Sequence, residues 1–414
     1  MIRGTSLAFD RVQYQKVWPN PKTDANCMGI TPWRTMGAHR LGEHTGRVAS
    51  AQMSTEEPMA HVDWYGGLEP DLDISMLPRR PDDPELRESA SLWLYEENGS
   101  FGFPRIGIEA VGSAWENHRY DCNIAFNDGR ILRTSKRGPT HSTVARDGRG
   151  AILGAGGLAF RCIEPFRKWH VSFDDTVYEA RIEDQIRGNF RVYADTEVSP
   201  VLKQVPFRFE VELTMVTPAW TQDFRPERLA ALSEAQRIDA GLMGYGWRIE
   251  QLFRGEGELT LDGRSRTFKC LGSRIHRQSV RPLGAFRGHC WQSAVFPDGR
   301  AFGYIAYPPR DDGSTYNEGY IYKDGEMHRA RARNIPFLRN LMPAGDDVSV
   351  ELESELGITR IRGITTLATF HIGNPGVNSM NNHQGGVRYA WDQMETLGMI
   401  ERSSPAGLTK ICLP

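Results

Sequence analysis

The chain has 414 residues, 39% hydrophobic and 25% charged, with a formal net charge of −2. That balance gives no electrostatic case for nucleic acid or an anionic membrane surface as a partner. No window of about 18 apolar residues would span a bilayer, and the opening MIRGTSLAFDRVQYQK mixes charge throughout, so a cytoplasmic protein with no membrane span is expected.

Residues 1–84 have no sustained period and read as an N-terminal arm. Prolines 78, 81 and 84 punctuate DLDISMLPRRPDDPELRES, the pattern of an extended linker or a wrapping strap. Trp33, Trp64 and Tyr65 are too apolar for a solvated tail, so part of the arm should pack on the body. His39 and His44 stand five apart, which misses the i, i+4 spacing of a helical metal pair.

From about residue 90 the period becomes two. In FRFEVELTMVTP, Phe207, Phe209, Val211, Leu213 and Met215 share one face and charged or polar residues the other. Trp169, Val171 and Phe173 alternate the same way in KWHVSFDD, as do Cys122, Ile124 and Phe126 in DCNIAFNDGR. Asp-Gly follows at Asp128, Asp147, Asp262, Asp298, Asp312 and Asp324, supplying the positive φ of tight hairpins. In GRGAILGAGGLAF, Gly154, Gly156 and Ala159 match only a relaxed dinucleotide spacing with no helical pattern after it, so a hairpin is expected. Helical periodicity is scarce: FRPERLAALSEAQRIDAGL is one candidate and RYAWDQMETLG, stopped by Gly398, a second.

Long alternating strands must bury one face, and closing a sheet removes its open edges. The expected fold is therefore all-β: two antiparallel barrels or sandwiches, residues 85–230 and 231–414, divided at the first helix. The six cysteines lie far apart, with no zinc spacing, and read as reduced thiols.

Ionisable groups crowd into GSRIHRQSVRPLGAFRGHCWQSAVFPDGR, residues 272–300. Arg274 and His276 share a strand face and Arg277 takes the other. If the first face lines a cavity, His276 is a general acid/base beside a cation; otherwise it is a structural hydrogen-bonding group. His289 shares a face with Trp291 and is a second candidate base. Arg281 and Arg287 suit an oxyanion or phenolate clamp, or else salt bridges to neighbouring glutamates. Trp291, Tyr304 and Tyr307 can form an aromatic wall or simply core. In WENHRYDCN, His118, Tyr120 and Asp121 bring a base, a phenol and a carboxylate together. His371 and His383 read as structural.

The order EQLFRGEGELTLDG, GSRIHRQSVR, CWQSAVFPDGRAFGY and GGVRYAWDQMETLGMIERS resembles the carotenoid 1,2-hydratase (hydroxyneurosporene synthase) group of tandem lipocalin-like proteins, to which lipocalin-type fungal cyclases are also similar. The resemblance covers roughly residues 85–414 and implies two lipocalin-like barrels, a hydrophobic small-molecule substrate, and hydratase, dehydratase or cyclase activity with no organic cofactor. The family pattern places an acid just before the histidine, whereas Ile275 stands before His276 here. Without that acid, alkene protonation lacks its usual donor. The expectation is a cofactor-independent, metal-free lyase or isomerase on an aromatic or phenolic molecule, with a histidine base and arginine anion stabilisation. A terpenoid hydratase or cyclase using Asp121 or Tyr120 as acid, and a non-catalytic carrier, are the alternatives. A homodimer is left open.

Overall fold

The computed structural model describes residues 63–74, 76–194, 201–221, 229–281, 283–374 and 378–413. Cys27, Trp33, His39 and His44 lie outside them.

Eight strands make a first ring: β1 (Leu86–Glu96), β2 (Phe101–Val111), β3 (Asn117–Phe126), β4 (Arg130–Pro139), β5 (Lys168–Arg181), β6 (Lys203–Met215), β7 (Tyr245–Leu261) and β8 (Arg264–Val280). Each pairs antiparallel with the next, and β8 closes on β1 from Leu86↔Val280 to Glu96↔Cys270. Eight more make a second ring: β9 (His289–Val295), β10 (Ala301–Ala306), β11 (Asn317–Lys323), β12 (Glu326–Arg333), β13 (Val350–Ser354), β14 (Gly357–Asn374), β15 (Met380–Trp391) and β16 (Met394–Ser404), with β16 closing on β9. The fold is all-β, two lipocalin-like antiparallel barrels packed together with few helices. No helix among the described residues is long and apolar enough to cross a membrane.

Asp-Gly chemistry makes the turns. Asp262 (φ 53°) and Gly263 (φ 71°) join β7 to β8, and Asp324 (φ 53°) and Gly325 (φ 84°) join β11 to β12, the doubly positive pair of a two-residue hairpin. GAILGAGGLAF forms a hairpin of Ile152–Ala155 and Leu158–Glu164 laid against β5.

Two expectations change. The helix α1 (Glu234–Met243) forms behind a capping box of Ser233 and Gln236, but it does not divide the barrels. β7 and β8 follow it and complete the first ring, because an eight-strand meander closes only when its last strand reaches its first. The chain passes from one ring to the other between Val280 and His289, later than the 230/231 division. The segment RYAWDQMETLG is not helical: it is the β15–β16 hairpin, turned at Asp392 with φ 54°. Tyr389 and Trp391 are buried in the second ring's core, satisfying a period of two.

Inward faces fill both rings. Phe207, Phe209, Val211, Leu213 and Met215 of β6 all point into the first, where Phe103, Phe173 and Trp169 meet them; each such burial contributes about 1.5–3 kcal/mol. Phe302, Tyr304, Leu352, Tyr389 and Ile400 occupy the second. Between the rings lies a separate apolar layer that includes Trp93, Tyr95, Trp291, Ile305 and Met399. Tyr95 spans it, its hydroxyl donating to the Gly385 carbonyl at 2.5 Å. The described part of the arm packs on the first ring: Leu68 and Leu72 lie against Phe166, Trp247 and Ile249, and the Arg167 guanidinium stacks 3.9 Å from the Trp64 ring centre.

Candidate functional site

Strand parity puts alternate residues of β8 on opposite sides of the first ring's wall. Arg274 and His276 point inward and are sealed from solvent. Asp73, on the arm, meets them: both Arg274 Nη atoms donate to its carboxylate at 2.8 Å, and His276 Nδ1 lies 3.1 Å from it. The Phe166 amide and Trp169 indole complete the cage at 2.8 and 3.1 Å, while His276 Nε2 faces Glu88 at 3.5 Å. Burial alone would raise the Asp73 carboxyl; Arg274 and His276 override it and hold it well below the usual range. Burial opposes a charged His276, but Asp73 and Glu88 prevail and raise its pKa. An ionised Asp73 locked to a cation is a fastening for the arm, with no room for a ligand.

The opposite face of β8 lines the candidate site. Ile275 and Arg277 line a cavity of about 440 Å³ in the seam between the outer surfaces of the two rings. That volume suits a small organic molecule. The first ring contributes Trp93 of β1, Arg105 and Glu109 of β2, Arg119 of β3 and Arg248 of β7, and Arg281 follows β8; the second contributes His289, Trp291, Tyr307, Glu401 and Ser403. Trp93 and Trp291 meet edge to face at 4.7 Å, one from each ring.

His289 is held by its neighbours on β16. Cross-strand pairing sets His289 opposite Ser403 and Trp291 opposite Glu401, all projecting outward from the second ring. His289 Nδ1 is 2.8 Å from Ser403 Oγ, and Nε2 is 3.4 Å from Glu401 Oε1. Burial raises the Glu401 carboxyl, yet its bond to His289 and the charges of His289 and Arg105 outweigh that and hold it at about 2. Gln384 donates to Glu401 at 2.7 Å and accepts from Asn123 of the first ring at 3.1 Å. Both rings therefore orient this carboxylate. A hydroxyl on an imidazole backed by an ionised carboxylate can move a proton.

Opposite stands a wall of guanidinium groups. Glu109 sits between Arg87 at 3.0 Å and Arg277 at 3.5 Å. Burial raises its carboxyl, but Arg277 and Arg87 overcome this and hold it at about 2. Burial, and then Arg281, push Arg277 well below its ordinary value. Behind Trp291, Glu250 accepts from the indole at 3.1 Å and from Arg248 at 3.0 Å, and burial raises its carboxyl. Among the described residues, no group of three or more His, Cys, Asp or Glu is arranged to hold a metal ion.

Residues 75–405 match the family described as a domain of unknown function, DUF7064. The chain belongs to DUF7064. No curated protein matches it. Solved structures similar to this DUF7064 chain include a putative AttH from Nitrosomonas europaea, at 14% identity and TM-score 0.47, covering 77% of this chain and 92% of that one. CghA, crystallised with Sch210972, is 13% identical at TM-score 0.45, covering 78% and 89%. Kievitone hydratase from Nectria haematococca is 10% identical at TM-score 0.42, covering 83% and 97%.

Of the residues singled out in the DUF7064 sequence, His289, Arg281, Trp291 and Tyr307 line the seam cavity. Arg274 and His276 do not, because their parity turns them into the first ring. Tyr304 points into the second ring, 3.3 Å from Cys290 Sγ, and is not a ligand wall. Arg287 grips Asp239 of α1 with two bonds of 2.6 and 2.7 Å and serves as a brace. The His118–Tyr120–Asp121 group splits by parity. His118 is buried against Trp115. Tyr120 donates to Asp175 at 2.6 Å, and burial with that carboxylate raises its hydroxyl. Asp121 lies 3.1 Å from Arg119; burial raises its carboxyl, but Arg119 and Arg105 prevail and keep it at about 2, ionised at neutral pH and no proton donor. His371 does line the cavity, but contacts Arg133; burial and Arg133 lower its pKa strongly. Reading the sequence missed Glu401, Ser403, Glu109 and Arg248. The alternation of MIERSS would have put Glu401 and Ser403 on one face, had the segment before it not read as a helix.

Proposed function

We propose that the seam cavity is the active site of a cofactor-independent lyase acting on an aromatic, phenol-bearing small molecule. The observation that carries the reading is the pairing across one cavity of the Ser403–His289–Glu401 set with a wall of arginines. The substrate phenol gives its proton to His289, relayed through the Ser403 hydroxyl, and Glu401 stabilises the imidazolium formed. Arg105, which lines the same cavity and whose charge acts on Glu401, holds the phenolate oxygen. The phenolate then expels hydroxide from the benzylic carbon para to it; the hydroxide takes the imidazolium proton and leaves as water, and a quinone methide is left. Where the adjacent carbon bears a hydroxymethyl group, the neutral His289 takes its hydroxyl proton and the carbon–carbon bond breaks. Formaldehyde leaves, and the electron pair forms the alkene and restores the ring. Base and cation suffice for each step, and Trp93 and Trp291 suit a flat ring.

A second reading is the terpenoid hydration or cyclisation that the family resemblance implies. Glu250 favours it, since it stands directly across from Ile275 on the neighbouring strand and burial raises its carboxyl. The non-catalytic carrier has less support, since ionisable groups line this cavity.

The test is to supply the full chain with 4-hydroxyphenyl compounds carrying a benzylic hydroxyl, with and without a neighbouring hydroxymethyl group. Formaldehyde or water loss is followed by the ultraviolet absorbance of the new alkene. The lyase reading expects turnover that declines on the acid side, as a general-base mechanism requires. Turnover only with an isolated alkene, declining on the alkaline side, would replace it with the Glu250 reading.

A further inference from the structure

We propose that the ligand of the seam cavity carries a permanent carboxylate beside its aromatic ring, and that Arg281, with Arg248 and Arg277, forms the carboxylate's seat. This rests on the seam cavity being the active site. The charge count leads there. Arg87, Arg105, Arg119, Arg137, Arg248, Arg277 and Arg281 all line the cavity. Among the described residues, carboxylates in ion-pair contact with them include Glu85, Glu109, Asp121 and Glu250. Glu401, the remaining carboxylate of the lining, faces His289 instead.

Among the described residues, Arg281 makes one hydrogen bond, from Nε to the Leu242 carbonyl at 2.9 Å, and no carboxylate pairs with it. None pairs with Arg105 either. Arg248 is 4% exposed, yet its Nη1 has no hydrogen-bond partner. Buried like charges repel strongly, and an unpaired buried cation is costly unless an anion joins it. The transient phenolate of the elimination brings a single negative charge, and at least Arg105 and Arg281 await one. A carboxylate fits the planar fork of a guanidinium through two parallel bonds. The aromatic faces of Trp93, Trp291 and Phe286 on the same walls select an aryl carboxylate over a bare inorganic anion.

The experiment compares binding of 4-hydroxyphenylacetate and 4-hydroxyphenylacetamide to the full chain by titration calorimetry, with quenching of tryptophan fluorescence as a second readout. The acid should bind about tenfold or more tighter than the amide, as charge-assisted hydrogen bonds allow. Arg281→Gln should weaken the acid to the level of the amide and leave the amide unchanged. His289→Gln should keep the acid's preference even where turnover is lost, which separates this proposal from the assignment of the base. Equal binding of acid and amide by the unmodified protein, no binding of the acid at millimolar concentration, or equally strong binding of inorganic phosphate would each overturn it. So would a preference that survives in a folded Arg281→Gln protein. If that variant fails to fold, the comparison on the unmodified protein still decides.

Discussion

Replacing Asp73 with Asn removes one charge from the sealed cage that fastens the arm to the first ring. The carboxylate accepts from both Nη atoms of Arg274, from the Phe166 amide and from the Trp169 indole, and touches His276, all at 2.8–3.1 Å. Asn keeps the shape and one acceptor but strands Arg274, which is 1% exposed. Breaking a buried pair from one side costs about 3–5 kcal/mol, so the urea midpoint should fall by that equivalent at an unchanged slope. The pH dependence gives a second signature. Asp73's folded pKa is depressed, so its contribution is present above the unfolded carboxylate value of about 3.9 and is lost as pH falls through the folded value. His276's folded pKa is raised, so its contribution is complete below about 6.5 and is lost as pH rises through the folded value. The gap between the two proteins should therefore be widest from about pH 4 to 6.5 and narrow above it. A loss below about 1 kcal/mol, within the spread of ordinary substitutions, would refute the fastening.

Glu401→Gln keeps a partner for Gln384 but removes the charge behind His289; turnover should drop by roughly tenfold or more with the melting temperature little changed, as read by initial rates and circular dichroism. Gly272→Ala places a methyl against the Trp93 carbonyl where β8 crosses β1, and thermal melts should show a loss of about 1–3 kcal/mol, as for other overpacked sites.

The all-β architecture was legible because β6 alternates without a break and Asp-Gly marks its turns, signals that live in neighbouring residues. Ring membership was not, since the closure of β8 on β1 joins residues almost two hundred apart in the chain, and no local pattern reports which distant edge a strand will satisfy. The same limit governs the site. Parity correctly paired Arg274 with His276 and opposed Arg277, but which face meets a cavity depends on a second ring and on Asp73. His289 and Trp291 were found because they stand on the strand that begins the second ring. Glu401 and Ser403 come from the strand that ends it and become their neighbours only when that ring closes.

The most direct test of the account compares His289→Gln with His276→Gln, measuring turnover per folded molecule on whichever 4-hydroxyphenyl substrate the unmodified protein converts. A base in the seam predicts that His289→Gln loses about 10²- to 10⁴-fold, while His276→Gln loses stability but keeps its rate once folded. The reverse pattern, with His276 essential and His289 dispensable, would move the chemistry inside the first ring and contradict the account.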